Sequence, residues 1–591
     1  VNSSIEDLGV PVRSVNWVRA HVGRPADGSE RVWSTMGQQA EGFFILDVDP
    51  ASGACRQIPC AESKANYPTA TCVSRSGVLY VGAAYQGHLY AYDGVRLAGL
   101  GAINPEQATF PCRIDEDGQG KLWIGSYGGA DLTCYDPSAR TFERYGRMDD
   151  VDMYCYPMVD HKSGLIACLI KMTQQHVTLF DPRTGERTDV GPSLTKEEGV
   201  VDLVREPGGR LVITTGEASY AIHGVEATQI DEVPPQDHPR LSTGEAVTFA
   251  DADTFLYRKL ALTGESGSSR VIDLSYEPAG SEIYTLHEGP DGLIYGSSIL
   301  PLHFFSSDPA TGKTTDYGKA SESGGEAYSM ANLAGKIYVS SYPAARISVY
   351  DPARPYGYGP DPDSNPRELG RIDDVSYRPR STLTGPQGRV WTASLPDYGL
   401  WGGPLAWLDP DSGARGSYRD VAGEGSCYTL AHLETDGLIA IGTTINAGTG
   451  TQPREEQAKL ILWDYEQEAA VWEGAPRDGL LAINALVMSA EGRLYGTGLA
   501  AESAIVFAFD TDERDFTLLE GELPGRPLDH GLRPYKDAIY LVTRDGVARV
   551  DGDRVNSVIR EAGAFGVPGP ILDGRLYFGT NHELRRVRLT G

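Results

Sequence analysis

Apolar positions along the chain come in short alternating runs, each stopped by a turn, and few segments keep a helical period. The runs follow one order. An apolar strand enters a turn such as Asp117-Gly118 or Asp291-Gly292, and a second strand of the type Leu-Trp-Ile-Gly-Ser (122–126) or Leu-Ile-Tyr-Gly-Ser (293–297) leaves it. After a variable loop, a third strand ends in an aromatic-Asp or Asp-Pro pair and a fourth follows. Asp-Gly is expected to supply the positive φ angles of a tight hairpin, and proline to stop the ladder after the third strand. Such ends stand at Asp49-Pro50, Asp136-Pro137, Asp181-Pro182, Asp308-Pro309, Asp351-Pro352, Asp409-Pro410, Asp464 and Asp510. The unit returns every ~37 to 54 residues, and four strands at that period predict a β-propeller.

About 13 units are too many for one ring. The fold expected is therefore all-β, with two tandem β-propellers: residues 1–264, six- or seven-bladed depending on whether 232–264 holds a degenerate blade, and residues 271–591, seven-bladed. The seams suggest how each ring closes. Residues 4–9 and 271–277 each read as a fourth strand lacking its first three, and 258–264 and 585–591 each read as a third strand lacking its fourth. Pairing within each half would latch both rings and hide their edges, so residues 5–8 are expected to complete a sheet at the end of the first half. The Gly- and Ser-rich stretch 264–270 then reads as the linker.

Composition adds little to the architecture but limits the partners. Over 591 residues, Gly (70) is abundant and Tyr (31) outnumbers Phe (14), as short strands and tight turns require. A formal charge of -29 argues against nucleic-acid backbones and anionic membranes. No apolar run approaches the roughly 20 residues of a bilayer span. The eight cysteines fall mostly on apolar strand positions and read as buried thiols, with only Cys55 and Cys60 close enough to pair locally. That leans to a reducing, cytoplasmic compartment, with secretion after removal of a leader as the alternative. No Cys-x-x-Cys or His-x-x-x-His pair supports zinc, and no cofactor is expected. Asp361, Asp363 and Ser364 have oxygens suited to calcium, but an exposed polar turn is the favoured reading.

In a propeller, the starts of the innermost strands and the ends of the second strands share one face, where side chains from many blades meet at the central channel. In the second ring this geometry picks out His303, Glu326, Tyr328, Tyr342, Tyr377, Arg378, Arg380, Asp397, Tyr398, Trp401, Tyr428, Asn484, His530, Arg533, Asn581 and His582. Arg378 and Arg380 alternate around Pro379 and should face the same way. His530 and His582, on neighbouring blades, are the titratable pair of the set. The first ring offers less, chiefly Gln38, Tyr85, Tyr127, Tyr156, Gln174, Gln175 and His176.

The blade consensus, Asp-Gly leading into Tyr-Gly-Ser (291–297) and then Tyr-Asp-Pro (135–137, 350–352), resembles bacterial sugar-processing propellers, among them propeller-type polysaccharide lyases and the NHL and streptogramin-lyase groups. The resemblance implies a lyase cleaving beside a uronic acid in an oligo- or polysaccharide. His530, His582, Tyr377 and Tyr398 would then exchange protons, and Arg378, Arg380, Arg533, Glu326, Tyr328, Tyr342, Asp397 and Trp401 would bind substrate. A glycoside hydrolase using Glu326 and Asp397 is one alternative, and a non-catalytic ligand-binding or scaffold propeller is another.

Overall fold

The structure is a computed structural model that describes residues 5–589 except 63, 108, 197 and 232–237. Ser4 and Thr590-Gly591 of the expected seam strands, and the first part of the 232–264 stretch, thus lie outside the described residues. By internal contacts the chain divides into two units, Ser14–Ala279 and Val1–Arg13 with Gly280–Gly591. Each unit is a propeller of antiparallel blades.

The first ring has blades at 16–59, 67–102, 110–147, 154–195 and 202–230, each of four strands, and a three-stranded sheet at 246–273. The second has blades at 283–318, 326–371, 376–418, 426–474, 482–518 and 527–560, and a seventh at 567–588. Its innermost strands touch one another in a closed cycle. Inward-facing Val, Ile, Leu and Phe of adjacent blades merge into one apolar cluster at every blade interface of this ring. Burying apolar area against both neighbours is what makes a short four-stranded sheet stable in this setting.

The turns work differently in detail from the sequence expectation. Gly292 does take φ +79°, but in the first ring's third blade the positive φ falls on Gly120 (+84°), not Gly118. There the Asp117 carboxylate accepts the N–H groups of Gln119 (2.8 Å) and Lys121 (3.0 Å), so a longer loop joins the strands. The aspartates that end third strands act likewise. Asp136 accepts from Ser138 (2.9 Å) and Asp308 from Ala310 (2.8 Å), closing the next hairpin.

The seam strands are exchanged relative to the sequence expectation. Glu6–Asp7 pairs antiparallel with Glu583–Arg588, the last strand of the second ring, and supplies its seventh blade with a fourth strand. Arg586 Nη2 meets Glu6 Oε2 at 2.7 Å, and Ile5, Leu8 and Val12 join apolar clusters of that ring. Ser269–Asp273 instead pairs with Lys259–Thr263 in the first ring, where Ile272, Leu274 and Tyr276 enter the core beside Val15 and Phe44. The stretch 264–268 is thus a hairpin turn, held by Gly264 N–H to Ser268 O at 2.9 Å, rather than a linker. The expected boundaries 1–264 and 271–591 move accordingly, with the first thirteen residues closing the second ring. Short strands with the same alternation do not encode which edge they complete. The Glu6–Arg586 pair and the apolar partners do.

Candidate functional site

The third blade of the second ring positions the site. The segment Asp373-Asp374-Val375 leads into its inner strand, Ser376–Thr384, with Asp373 accepting the N–H groups of Val375 (2.8 Å) and Ser376 (2.5 Å). Irregular register around Arg378 and again before Ser381 then turns the two arginines differently. The two guanidiniums then meet different tyrosines.

Arg378 lies among three tyrosines, 5.0 Å from the ring of Tyr342, 5.4 Å from Tyr398 and 5.9 Å from Tyr377. Its Nη1 donates to Thr449 Oγ1 at 2.6 Å, and it forms no ion pair with a carboxylate among the described residues. Arg380 stacks on Tyr328 (4.7 Å) and Tyr428 (5.3 Å), and its buried Nε has no hydrogen-bond partner. Its one ion-pair partner among the described residues is Asp529, 4.0 Å away, which also accepts from the Tyr428 hydroxyl at 2.7 Å. Tyrosine edges and faces link the two compartments, from Tyr284 through Tyr328, Tyr342 and Tyr377 to Tyr398, at centroid distances of 4.9, 6.0, 5.4 and 5.3 Å. Cations over tyrosine faces are attracted without being neutralised.

Beside them opens a cleft of about 1060 Å³, whose walls include Tyr284, Tyr328, Arg380, Asp529, His530 and Arg533. This is ample for a small organic ligand. Loops from the third and fourth blades meet at the rim. Gly399 N–H donates to Thr449 O (3.0 Å), and Gly448 N–H to Leu400 O (2.9 Å). Gly448 is needed for this approach, because a Cβ there would overlap the Asp397 carbonyl. The same loop places Thr449 on Arg378.

Glu326 begins the inner strand of the second blade and is 4 % exposed, with Oε2 unpaired. Burial pushes its carboxyl up to about 7, partly offset by the Arg378 and Arg380 charges and by Tyr328. An unfolded glutamate ionises near 4.5, so the folded state is disfavoured progressively from there to about 7 and bears the full cost above it. That cost is on the order of 3 kcal/mol. Glu326→Gln should therefore stabilise the second ring above neutral pH and change little below pH ~4. Denaturation midpoints measured across that pH range check this, and a variant destabilised at alkaline pH would refute it.

The other expected residues distribute unevenly. His530 lines the cleft, with φ +52° and an imidazole held below its ordinary value chiefly by burial. Arg533 also lines it, but backbone carbonyls occupy its donors: Gly569 and Pro568 at 2.8 Å, Leu532 at 3.0 Å, and His530. Its geometry ties neighbouring inner strands together. His582 does not join His530. Its ring packs against Gly280, outside the cleft lining. Asp397 Oδ1 accepts the Tyr398 N–H at 2.6 Å. Trp401 sits on the rim under Arg454, at 3.6 Å, with its indole N–H on Gln452 O. Tyr377 and Tyr328 hydroxyls are pushed up by burial, which keeps them protonated and suits them to donating rather than abstracting protons.

Sequence reasoning missed Asp529, Tyr284 and Thr449. Asp529 was within reach, one residue before His530 on an inner strand; Thr449 sits in a Gly- and Thr-rich loop whose path sequence does not reveal. Asp361 and Ser364 share a local turn (Ser364 N–H to Asp361 O, 3.0 Å), and no three His, Cys, Asp or Glu residues gather for a metal among the described residues. All eight cysteines are free thiols, and no helix is long and apolar enough to cross a membrane.

No protein-family model matches the chain, and no curated protein does. Among solved structures it is similar to the extracellular domain of BT4673 from B. thetaiotaomicron, at 13 % identity over 98 % of this chain and 82 % of that one, with a TM-score of 0.37. Streptogramin B lyase matches at 12 % identity over 52 % of this chain and 94 % of its own, with a TM-score of 0.38. The extracellular domain of BT3049 from the same organism matches at 14 % over 96 % of this chain and 68 % of that one, with a TM-score of 0.27. At such identities and scores, the likenesses carry no argument about what this chain binds.

Proposed function

We propose that the second ring is a binding module for a small carboxylate-bearing ligand, of the kind a uronate-containing oligosaccharide presents, held at the mouth of its channel. One observation carries the reading. Two guanidiniums stand in adjacent tyrosine-walled compartments with, among the described residues, a single ion pair between them, at 4.0 Å. Clustered cations in a confined site call for a counter-charge, and a carboxylate matches the planar donor fork of arginine. Tyrosine faces along the same wall suit stacking against a sugar ring.

A lyase is the second reading, favoured by Glu326 beside those arginines. Its carboxylate would take the proton next to the sugar carboxylate while Arg378 and Arg380 hold that group. The carbon–oxygen bond to the leaving sugar would break, and a protonated tyrosine would supply the leaving oxygen with its proton, yielding an unsaturated uronate. Calorimetric titration with galacturonate and glucuronate oligomers, against neutral glucose oligomers of equal length, tests binding. Ultraviolet absorbance of the unsaturated product tests cleavage. Binding of the acidic oligomers without new absorbance supports the module; equal affinity for neutral and acidic oligomers removes the reading.

A further inference from the structure

We propose that the mouth of the first ring's channel is a second, independent ligand site, taking a small organic carboxylate whose flat apolar face lies against Tyr85 and Trp17 while its anion meets Arg19 and Arg113. The argument begins with a charge inventory. Apart from Glu116, which pairs with Arg75 at 3.2 Å, inner strands and second-strand ends of this ring carry four cations, Arg19, Arg113, Lys171 and Arg205, and two carboxylates, Asp115 and Asp202.

Both carboxylates are already matched. Arg205 forks onto Asp115 with Nη2–Oδ2 at 2.6 Å and Nη1–Oδ1 at 3.1 Å. Lys171 Nζ stands 3.8 Å from Asp202. His21 adds no charge, since burial pushes its imidazole down to about 4 and it bonds Thr71 at 3.0 Å. Two guanidiniums remain in excess. Arg113 has one backbone carbonyl, Leu203 O at 3.3 Å, and lies 5.7 Å from the face of Tyr156. The charged neighbour acting on Arg19 is Arg113 itself. Asp202 and Asp115 act on Arg113 only at longer range, and among the described residues neither Arg19 nor Arg113 forms an ion pair. In a chain of net charge -29, two neighbouring cations without a direct carboxylate partner mark a place suited to an anion.

The apolar half of the site is equally specific. Trp17, two residues before Arg19 on the same strand, touches Tyr67 at 4.6 Å. Contacts continue from Tyr67 to Tyr85 (5.7 Å), Tyr85 to Phe110 (5.9 Å) and Phe110 to Tyr127 (6.2 Å). They then pass from Tyr127 to Tyr154 (4.4 Å) and on to Tyr156 beneath Arg113 (6.0 Å). The aromatic rim thus begins beside one unmatched arginine and ends on the other. Tyr85 in that rim is 59 % exposed. A carboxylate bridging the guanidiniums, with its ring over Tyr85, satisfies both halves at once.

Full-length protein carrying Arg378→Gln/Arg380→Gln, titrated calorimetrically with benzoate and, separately, with glucuronate, tests this, because that background silences the second ring's proposed carboxylate site and leaves only the first ring's site to be read. Saturable binding is expected, with the tighter probe telling a planar aromatic ligand from a sugar acid. Adding Arg19→Gln/Arg113→Gln should weaken it at least about tenfold. Adding Tyr85→Ala should weaken it several-fold and, because Tyr85 is exposed, keeps the test open if the arginine variant fails to fold. Failure of both probes to bind overturns the proposal. So does binding that survives the first-ring variants.

Discussion

An Arg380→Ala protein should lose about a hundredfold or more in affinity for uronate oligomers while both rings stay folded, a change of roughly 2.7 kcal/mol. Arg380 reaches the cleft from the inner strand of the third blade, with its Nε unpaired and its one ion-pair partner among the described residues 4.0 Å away. An arginine devoted to the fold would resemble Arg533, whose donors end on backbone carbonyls. Arg380 is instead held by tyrosine faces, which position a cation and leave its donors for a ligand. Arg380→Lys should recover only part of the affinity, because an ammonium keeps the charge and loses the fork. Titration calorimetry beside thermal melting separates the roles. Unchanged affinity with a lowered melting temperature would make Arg380 structural and leave the proposed site without its anchor.

Removing residues 1–10 should destabilise the second ring by about 4 kcal/mol and leave the first untouched. The estimate combines partial burial of Ile5 and Leu8 side chains, taken at the low end of the ~1.5–3 kcal/mol for a fully buried one, with loss of the closing strand. Deletion also takes Glu6 from Arg586 and uncovers the edge of Glu583–Arg588, which favours aggregation. Hydrogen exchange resolves the effect by region. Strands at 567–588 should lose protection, while those at 246–273 keep theirs. Loss at 246–273 instead would return the N-terminal strand to the first ring and contradict the pairing.

Glu326 links ligand binding to pH. An anionic ligand favours its neutral form, so affinity should fall as pH rises through about 7, and Glu326→Gln should flatten that profile.

Much of the architecture was legible because propeller blades are local objects. Each hairpin closes within a few residues, so the alternation and the Asp-ended third strands marked the strands of most blades without knowledge of distant contacts. The two rings and the face carrying Glu326, Arg378, Arg380 and Tyr342 followed from that periodicity. What the tertiary structure alone decided is non-local. Residues 5–8 and 271–277 share one pattern, and only the Arg586 carboxylate partner and the cores receiving Leu8 and Tyr276 assign each to its ring. His530 and His582 occupy similar places along their blades, yet one lines the cleft while the other packs on Gly280. Arg378 and Arg380 part company because bulges on either side of them break the strict alternation that a strand's sequence implies. Glu326 owes its raised carboxyl to burial, a property of the assembled ring that no neighbour in sequence specifies.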